Sequence, residues 1–300
     1  MDTIVCNVTS LPNFSEVIYP NDKTMSNSSK STVVPLAAEG FGSGGKNYDA
    51  NRPGYSEETV DLIASTIKTL SSEISTHTLK YDVLELGAGT GKLTELLIKK
   101  LPQKIRYFAT EPSENFLEVL TEKKLNVDVG VSAADDIPLP DASVGSVVCA
   151  QCFHWFAEEK DIASIRRVLV PGGRLILVWN VKDFSRDWMQ AFYDQRLEVL
   201  KRVGESPKYW VNSEEWRRNI DICSSFKLSD QHSLPGINFG GGLEKVLSNL
   251  TTVSAYNMLG AEERDAYVDQ LRKLLTEWPG LDLESMEIPF TTELYVYKAL

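Results

Sequence analysis

Three hundred residues, 42% of them hydrophobic, suffice for one large domain or two small ones with an ordinary core. A formal charge of −11, from 42 acidic against 31 basic side chains, argues against a nucleic-acid backbone or an anionic membrane as the main partner. No apolar run reaches the roughly 18 residues of a membrane span, four cysteines make no disulfide framework, and "MDTIVCNVTS" carries an acid where an export signal wants a cation. The expected setting is the cytosol.

Residues 1 to 40 are rich in Ser, Thr and Asn, hold Pro12, Pro20 and Pro35, and show no period, so a disordered arm is expected there. Ser56 can cap a helix whose stripe is Val60, Ile63, Ala64, Ile67 and Leu70, with Glu57 and Glu58 at its positive end. Val83 to Leu86 then make a buried strand, and Leu93, Leu96, Leu97 and Leu101 the next helix. "IRYFATE" is a second strand ending at Glu111, followed by a helix through Phe116, Leu117 and Leu120. "VDVGVS" and "SVVCAQ" are strands three and four, then comes a helix through Ile162, Ile165 and Leu169, and "RLILVWN" is strand five. Such alternation means a parallel sheet covered on both faces. Beyond Asn180 the pattern weakens: Trp188, Phe192 and Leu197 suggest a helix, "LPGINFGGG" a loop, 260–276 a helix and "FTTELYVYKA" a last strand.

In an open parallel sheet, ligands bind beyond the carboxyl ends of the strands. Gly87, Gly89 and Gly91 stand at such an end, where glycine lets the backbone turn and approach a ligand closely. Their spacing, G-x-G-x-G, is neither the dinucleotide fingerprint nor a phosphate loop, since Leu93 follows Gly91-Lys92. A ligand without phosphates is left, or a turn that uses glycine for packing alone. Glu111 closes the second strand 24 residues after Gly87, near the ~20-residue offset at which a carboxylate takes a ribose diol.

With "AADDIPLPDASVGSVVCAQCFHWF" added, the chain resembles a class I S-adenosylmethionine-dependent methyltransferase, and within that family the small-molecule branch of trans-aconitate methyltransferases and their fungal relatives. The matching pieces are "YDANRPGY", "VLELGAGTG", "ATEPS", "DDIPLPD", "AQCFHWF" and "LVPGGRLILVWN", with a looser match in "SNLTTVSAYNML" and "EIPFTTELYVYK". The resemblance implies an α/β, Rossmann-like, doubly wound sheet of seven strands, mostly parallel, with helices on both faces and the last strand antiparallel. It implies a methyltransferase domain over 41–300, with a substrate-side cap from 41–56 and about 181–257. It also implies S-adenosyl-L-methionine as cofactor. Glu85, Gly87, Ala88, Gly89 and Gly91 would line it, Glu111 and Pro112 would hold its ribose, Ala134 and Asp135 its adenine, and Gln151 would pass the sulfonium. Tyr48 and Arg52 would belong to a lid, Tyr48 near the sulfonium and Arg52 near a carboxylate.

Cys149 and Cys152 form a C-x-x-C at a strand end, where residues three apart point to opposite faces. No second pair follows, so a structural role and no metal are expected. His154 is a candidate general base or a wall of the pocket, and Trp155 a wall or a core anchor. Trp179, Asn180 and Trp188 would begin a substrate wall that Tyr256 completes, or the aromatics among them belong to the core. The leading chemistry is O-methylation of a small carboxylic acid, ionised at pH 7 and in need of no base. N- or O-methylation of an amine or phenol, or a cofactor-binding regulator without turnover, stay open. The expected partner is a small molecule, with neither nucleic acid nor membrane, and the chain a monomer or homodimer.

Overall fold

The computed structural model describes residues 49–73, 79–203, 213–252, 256 and 258–300. The arm expected over 1–40, and Tyr48 of the expected lid, lie outside the described residues. No helix among them is long and apolar enough to cross a membrane.

Helix α1 (Glu57–Glu73) starts where the sequence places a cap, with the Thr59 amide donating to Ser56 Oγ at 3.3 Å. Strand β1 (Tyr81–Leu86), helix α2 (Lys92–Lys100), β2 (Tyr107–Thr110), α3 (Glu114–Glu122), β3 (Asp128–Gly130) and β4 (Val144–Ala150) follow. A single 3-10 turn, Phe153–Trp155, leads into α4 (Glu159–Val168) and then β5 (Leu169–Lys182). The remaining elements are α5 (Asp187–Val203), α6 (Glu215–Asp221), β6 (Phe226–Pro235), β7 (Phe239–Gly240), α7 (Leu243–Leu250), α8 (Ala261–Thr276), β8 (Glu287–Ile288) and β9 (Phe290–Ala299).

Seven strands form one sheet in the order β3-β2-β1-β4-β5-β9-β6, and only β9 runs against the rest. The doubly covered sheet is legible in the alternation of its strands. Leu84, Leu86, Val147, Cys149, Leu175, Leu177, Tyr295 and Tyr297 point into one core, built with Ile162 and Ile165 of α4 and Trp216 of α6. The intervening Val83, Val148, Ile176, Val178, Leu294 and Val296 point into the other, against Ile63 and Ile67 of α1 and Leu97 of α2. Each side chain is almost free of solvent contact, and burial of such a side chain is worth about 2 kcal/mol.

A third core is separate from the sheet faces. Trp188 and Phe192 of α5, Val246 of α7, Leu271 of α8, Ile288 and Phe290 close on one another and build a cap. The order of strands reverses between β1 and β4, so the crevice beyond Leu86 and Ala150 is the topological switch point.

Strand β6 is absent from the sequence reading, and the segment "LPGINFGGG" is only partly a loop. Leu234 and Pro235 end β6, and Phe239 and Gly240 form β7. The reason is exposure: β6 is an edge strand with Phe226 alone fully buried, so it carries no apolar period, and its proline sits at the strand end, where a missing N–H is tolerated.

Candidate active site

Above the switch point lies a cavity of about 310 Å³. The loop from β1 to α2 forms its floor, and Gly87, Gly89 and Gly91 all adopt left-handed backbone, with φ of 64°, 59° and 79°. At Gly87 a Cβ would sit 2.9 Å from both Cβ and Sγ of Cys152, so the loop passes as close to the chain beyond β4 as glycine allows. Gly91 has a different task from the one expected. It does not wall the cavity, and a Cβ there would run into Leu120 of α3. Gly87, Ala88 and Gly89 do wall it.

Two carboxylates stand under this loop. Glu111, 7% exposed, accepts the Gly89 amide on Oε2 and the Ser113 amide on Oε1, each at 2.9 Å. Burial raises its pKa, and the two backbone donors pull the other way. Glu85 is fully buried, and Oε2 takes both the Tyr107 hydroxyl at 2.6 Å and the Thr94 hydroxyl at 2.7 Å. Its Oε1, equally buried, has no hydrogen-bond partner among the described residues. Burial pushes the Glu85 pKa up to about 7. Farther along, Pro112, Ala134 and Asp135 wall the cavity, with Asp135 accepting from Lys160 Nζ at 2.7 Å. Asp161 joins them, its pKa raised to about 6 by burial.

Across from the acids runs the segment 49–55. The Thr90 hydroxyl donates to Asp49 at 2.6 Å, Lys245 Nζ to Ala50 O and Asn51 Oδ1 at 2.9 Å, and Asn249 Nδ2 to Asn51 O at 2.6 Å. Asn180 Nδ2 holds Gly54 O at 2.8 Å, and Arg52 Nη2 donates to Thr252 O at 2.7 Å while lining the cavity. The segment is thus a strap tied to the glycine loop at one end and to α7 and β5 at the other. Gln151, Trp155 and Phe156 close the remaining side. Gln151 has φ of 64° with its amide on Val178 O, an uncommon conformation for a non-glycine residue and one that recurs beside functional sites.

His154 is a candidate base or pocket wall in the sequence reading. It lies in the core, not in the cavity wall, and its Nδ1 accepts the Trp179 indole N–H at 3.1 Å. Burial lowers its pKa to about 3, so the ring is neutral at pH 7. Trp179, expected in the substrate wall, is fully buried against Trp216 and Tyr295. Trp188 belongs to the cap core, and Tyr256 packs against it instead of reaching the cavity. Of that expected wall only Asn180 faces the cavity. Cys152 also departs from expectation. Beyond the end of β4 strand alternation no longer applies, and its thiol turns back to hydrogen-bond with Cys149 and with Leu86 O. Asp49, Thr90, Lys245, Asn249 and Asp161 were missed by sequence reasoning. Each is polar in a polar stretch, and only its partner across the fold marks it.

This geometry matches what comparison with known proteins finds. Residues 84–177 match the family described as methyltransferase domain. An uncharacterised methyltransferase of Mycobacterium bovis is 29% identical over 254 residues, 84% of this chain and 92% of that one. These matches support a class I S-adenosylmethionine-dependent methyltransferase. An uncharacterised methyltransferase of Schizosaccharomyces pombe is 41% identical over 144 residues, 48% of this chain, and the match spans only about half of that relative, 53% of its length. A loganic acid methyltransferase with SAH shares the fold, with a TM-score of 0.57 at 12% identity over 92% of this chain and 98% of that one.

Methyltransferases of this family take their methyl group from S-adenosylmethionine, and the residues present fit it. The buried, unpartnered Oε1 of Glu85 suits a cationic group. Glu111, with one N–H on each oxygen, has lone pairs left for a diol. The loop offers a ligand backbone with no side chain in the way.

Proposed function

We propose that this methyltransferase methylates a carboxylate oxygen of a small organic acid. The observation that carries the reading is the cavity wall itself: it holds the Arg52 guanidinium and, among the described residues, no histidine. A guanidinium can grip a carboxylate by two parallel hydrogen bonds. A carboxylate, with a pKa of roughly 4, is ionised at neutral pH and needs no proton removed. S-adenosylmethionine, when bound, supplies an already activated methyl group. The protein's own share is to hold the cofactor with Glu85 and Glu111, to orient the acceptor with Arg52 and Asn180, and to keep water out with Trp155 and Phe156. The resemblance of "FHWF" and the strap to the trans-aconitate branch supports an acid as acceptor. The acidic composition supports a small-molecule partner in the cytosol, with no nucleic acid or membrane, for a monomer or homodimer.

The test is incubation with labelled cofactor and a metabolite extract, with mass spectrometry of the products. Methyl esters are expected, formed at a rate that is flat from about pH 6 to 9. Arg52→Lys keeps the charge but not the fork, and should slow turnover about tenfold or more while S-adenosylhomocysteine still binds. Products methylated on nitrogen or phenol, with a rate that climbs through pH 7, would replace this reading by the amine or phenol one.

A further inference from the structure

We propose that Asp161, in the first turn of α4, reads the amino group of the cofactor's adenine, in place of Asp135, to which the sequence resemblance gives that task. The inference rests on S-adenosylmethionine being the cofactor and adds a specificity-determining residue to its site. Asp161 walls the cavity and is only 4% exposed, which an aspartate seldom is without a partner. Two features fix its place. It is the third residue of α4, and its carboxylate accepts the amide of the cap residue Glu158, the reach-back of a capping box. Lys160, beside it in the chain, donates to Asp135 at 2.7 Å, and the Asp135 charge acts on Asp161. The start of α4 thus lies against the stretch that holds Ala134 and Asp135.

A cap alone does not account for this burial, because an exposed carboxylate would serve the Glu158 amide equally well. The cavity supplies the missing reason. Adenine presents its amino donor next to the ring acceptor N1, and bases are read along that edge. The wall offers the complementary pair. Ala134 lines the cavity at 7% exposure, and its amide makes no hydrogen bond among the described residues, which leaves a donor for N1. Asp161 supplies the acceptor for the amino group. Burial raises its pKa to about 6, so at pH 7 it is chiefly ionised and accepts only. The two acids of this wall differ in what engages them. Lys160 takes the Asp135 carboxylate in an ion pair, whereas Asp161 is anchored by a neutral amide and keeps its charge for a donor in the cavity. Phe116 and Phe156 line the same cavity and offer flat apolar surface to a ring.

The experiment is titration calorimetry with S-adenosylhomocysteine and S-inosylhomocysteine, which carries a carbonyl in place of the amino group and a proton on N1. A carboxylate that faces the amino group would face that carbonyl oxygen instead. The wild-type protein should therefore bind S-adenosylhomocysteine at least about tenfold more tightly. Asp161→Asn keeps the shape and gains an N–H for the carbonyl, so it should cut this preference about tenfold or reverse it. Asp135→Asn should leave the preference in place. A loosened helix cap would weaken both nucleosides alike, and the ratio of affinities reads the base alone. Should Asp161→Asn bind neither nucleoside, Asp161→Ser, which keeps an oxygen near the Glu158 amide, is measured in its place with the same expectation. A preference intact in the Asp161 variant, or lost in Asp135→Asn, overturns the assignment. So does a wild-type protein that binds both nucleosides equally. A wild-type protein that binds neither refutes the cofactor itself and the assignment with it.

Discussion

The floor and the cap side of the cavity hold their polar groups by different means. At the floor, Glu85 and Glu111 are fixed by donors of the sheet and its loops: a tyrosine, a threonine and two backbone amides, all within residues 85–113. At the cap end, Arg52 comes from the strap and is held by Thr252 O, 200 residues away in sequence. A local hydrogen-bond network makes the floor rigid whatever the substrate, whereas the cap can change with the acceptor. This is the division of labour expected of a fold that keeps its cofactor site and varies its specificity.

The largest expected effect breaks the floor. Glu111→Ala removes the acceptor of the Gly89 and Ser113 amides together with the candidate partner of the ribose diol. It should weaken S-adenosylhomocysteine binding by about 3 kcal/mol in calorimetry, and an unchanged affinity in a folded protein would remove Glu111 from the site. Next, His154→Ala tests whether either end hides a base. It should leave the pH profile of turnover flat while costing about 2 kcal/mol of stability, since the Trp179 indole N–H loses its buried acceptor. The folded pKa of His154, about 3, is below the unfolded one, so its stabilising contribution is complete above about pH 6.5 and is lost as pH falls toward 3. The variant should therefore melt with less acid sensitivity across that window. The smallest effect sharpens the comparison. The Glu85 folded pKa of about 7 exceeds the unfolded one, so its contribution is complete below about pH 4.5 and is lost as pH rises through 7. Free of ligand, Glu85→Gln should melt higher than wild type at pH 8 and about equally at pH 4. At pH 8 it should also bind S-adenosylhomocysteine more weakly, by about 1 kcal/mol.

The parallel half of the sheet was legible because its strands are buried on both faces and its helices carry one apolar stripe each. Leu86 and Ala150 end their strands where those patterns end, whereas β5 runs past Asn180 to Lys182. The floor of the site was legible for the same reason: three glycines at a strand end and an acid closing the next strand are local signals. His154 and Trp179 misled because a polar tip on an aromatic body looks alike in a pocket and in a core, and only the 3.1 Å bond between them decides. The cap and the edge strand β6 were illegible in physical terms. Their positions are set by distant partners, Thr252 and Asn249 for Arg52 and Asn51 of the strap and β9 for β6, and no period within the sequence encodes them.

Strand β9 lies between β5 and β6, and it is the last of the seven in chain order. While the protein is being made, the ribosome releases β6 well before the strand that must separate it from β5. At roughly 5 to 20 residues per second, β6 waits several seconds with no partner in the sheet, and β5 is exposed along its whole free edge for longer still. Leu294 and Val296 complete one core and Tyr295 and Tyr297 the other, so neither face is sealed until these residues emerge. A nascent chain of this protein is thus unfinished on both sides at once, and a chaperone that shields the edge of β5 would be of most use in that interval.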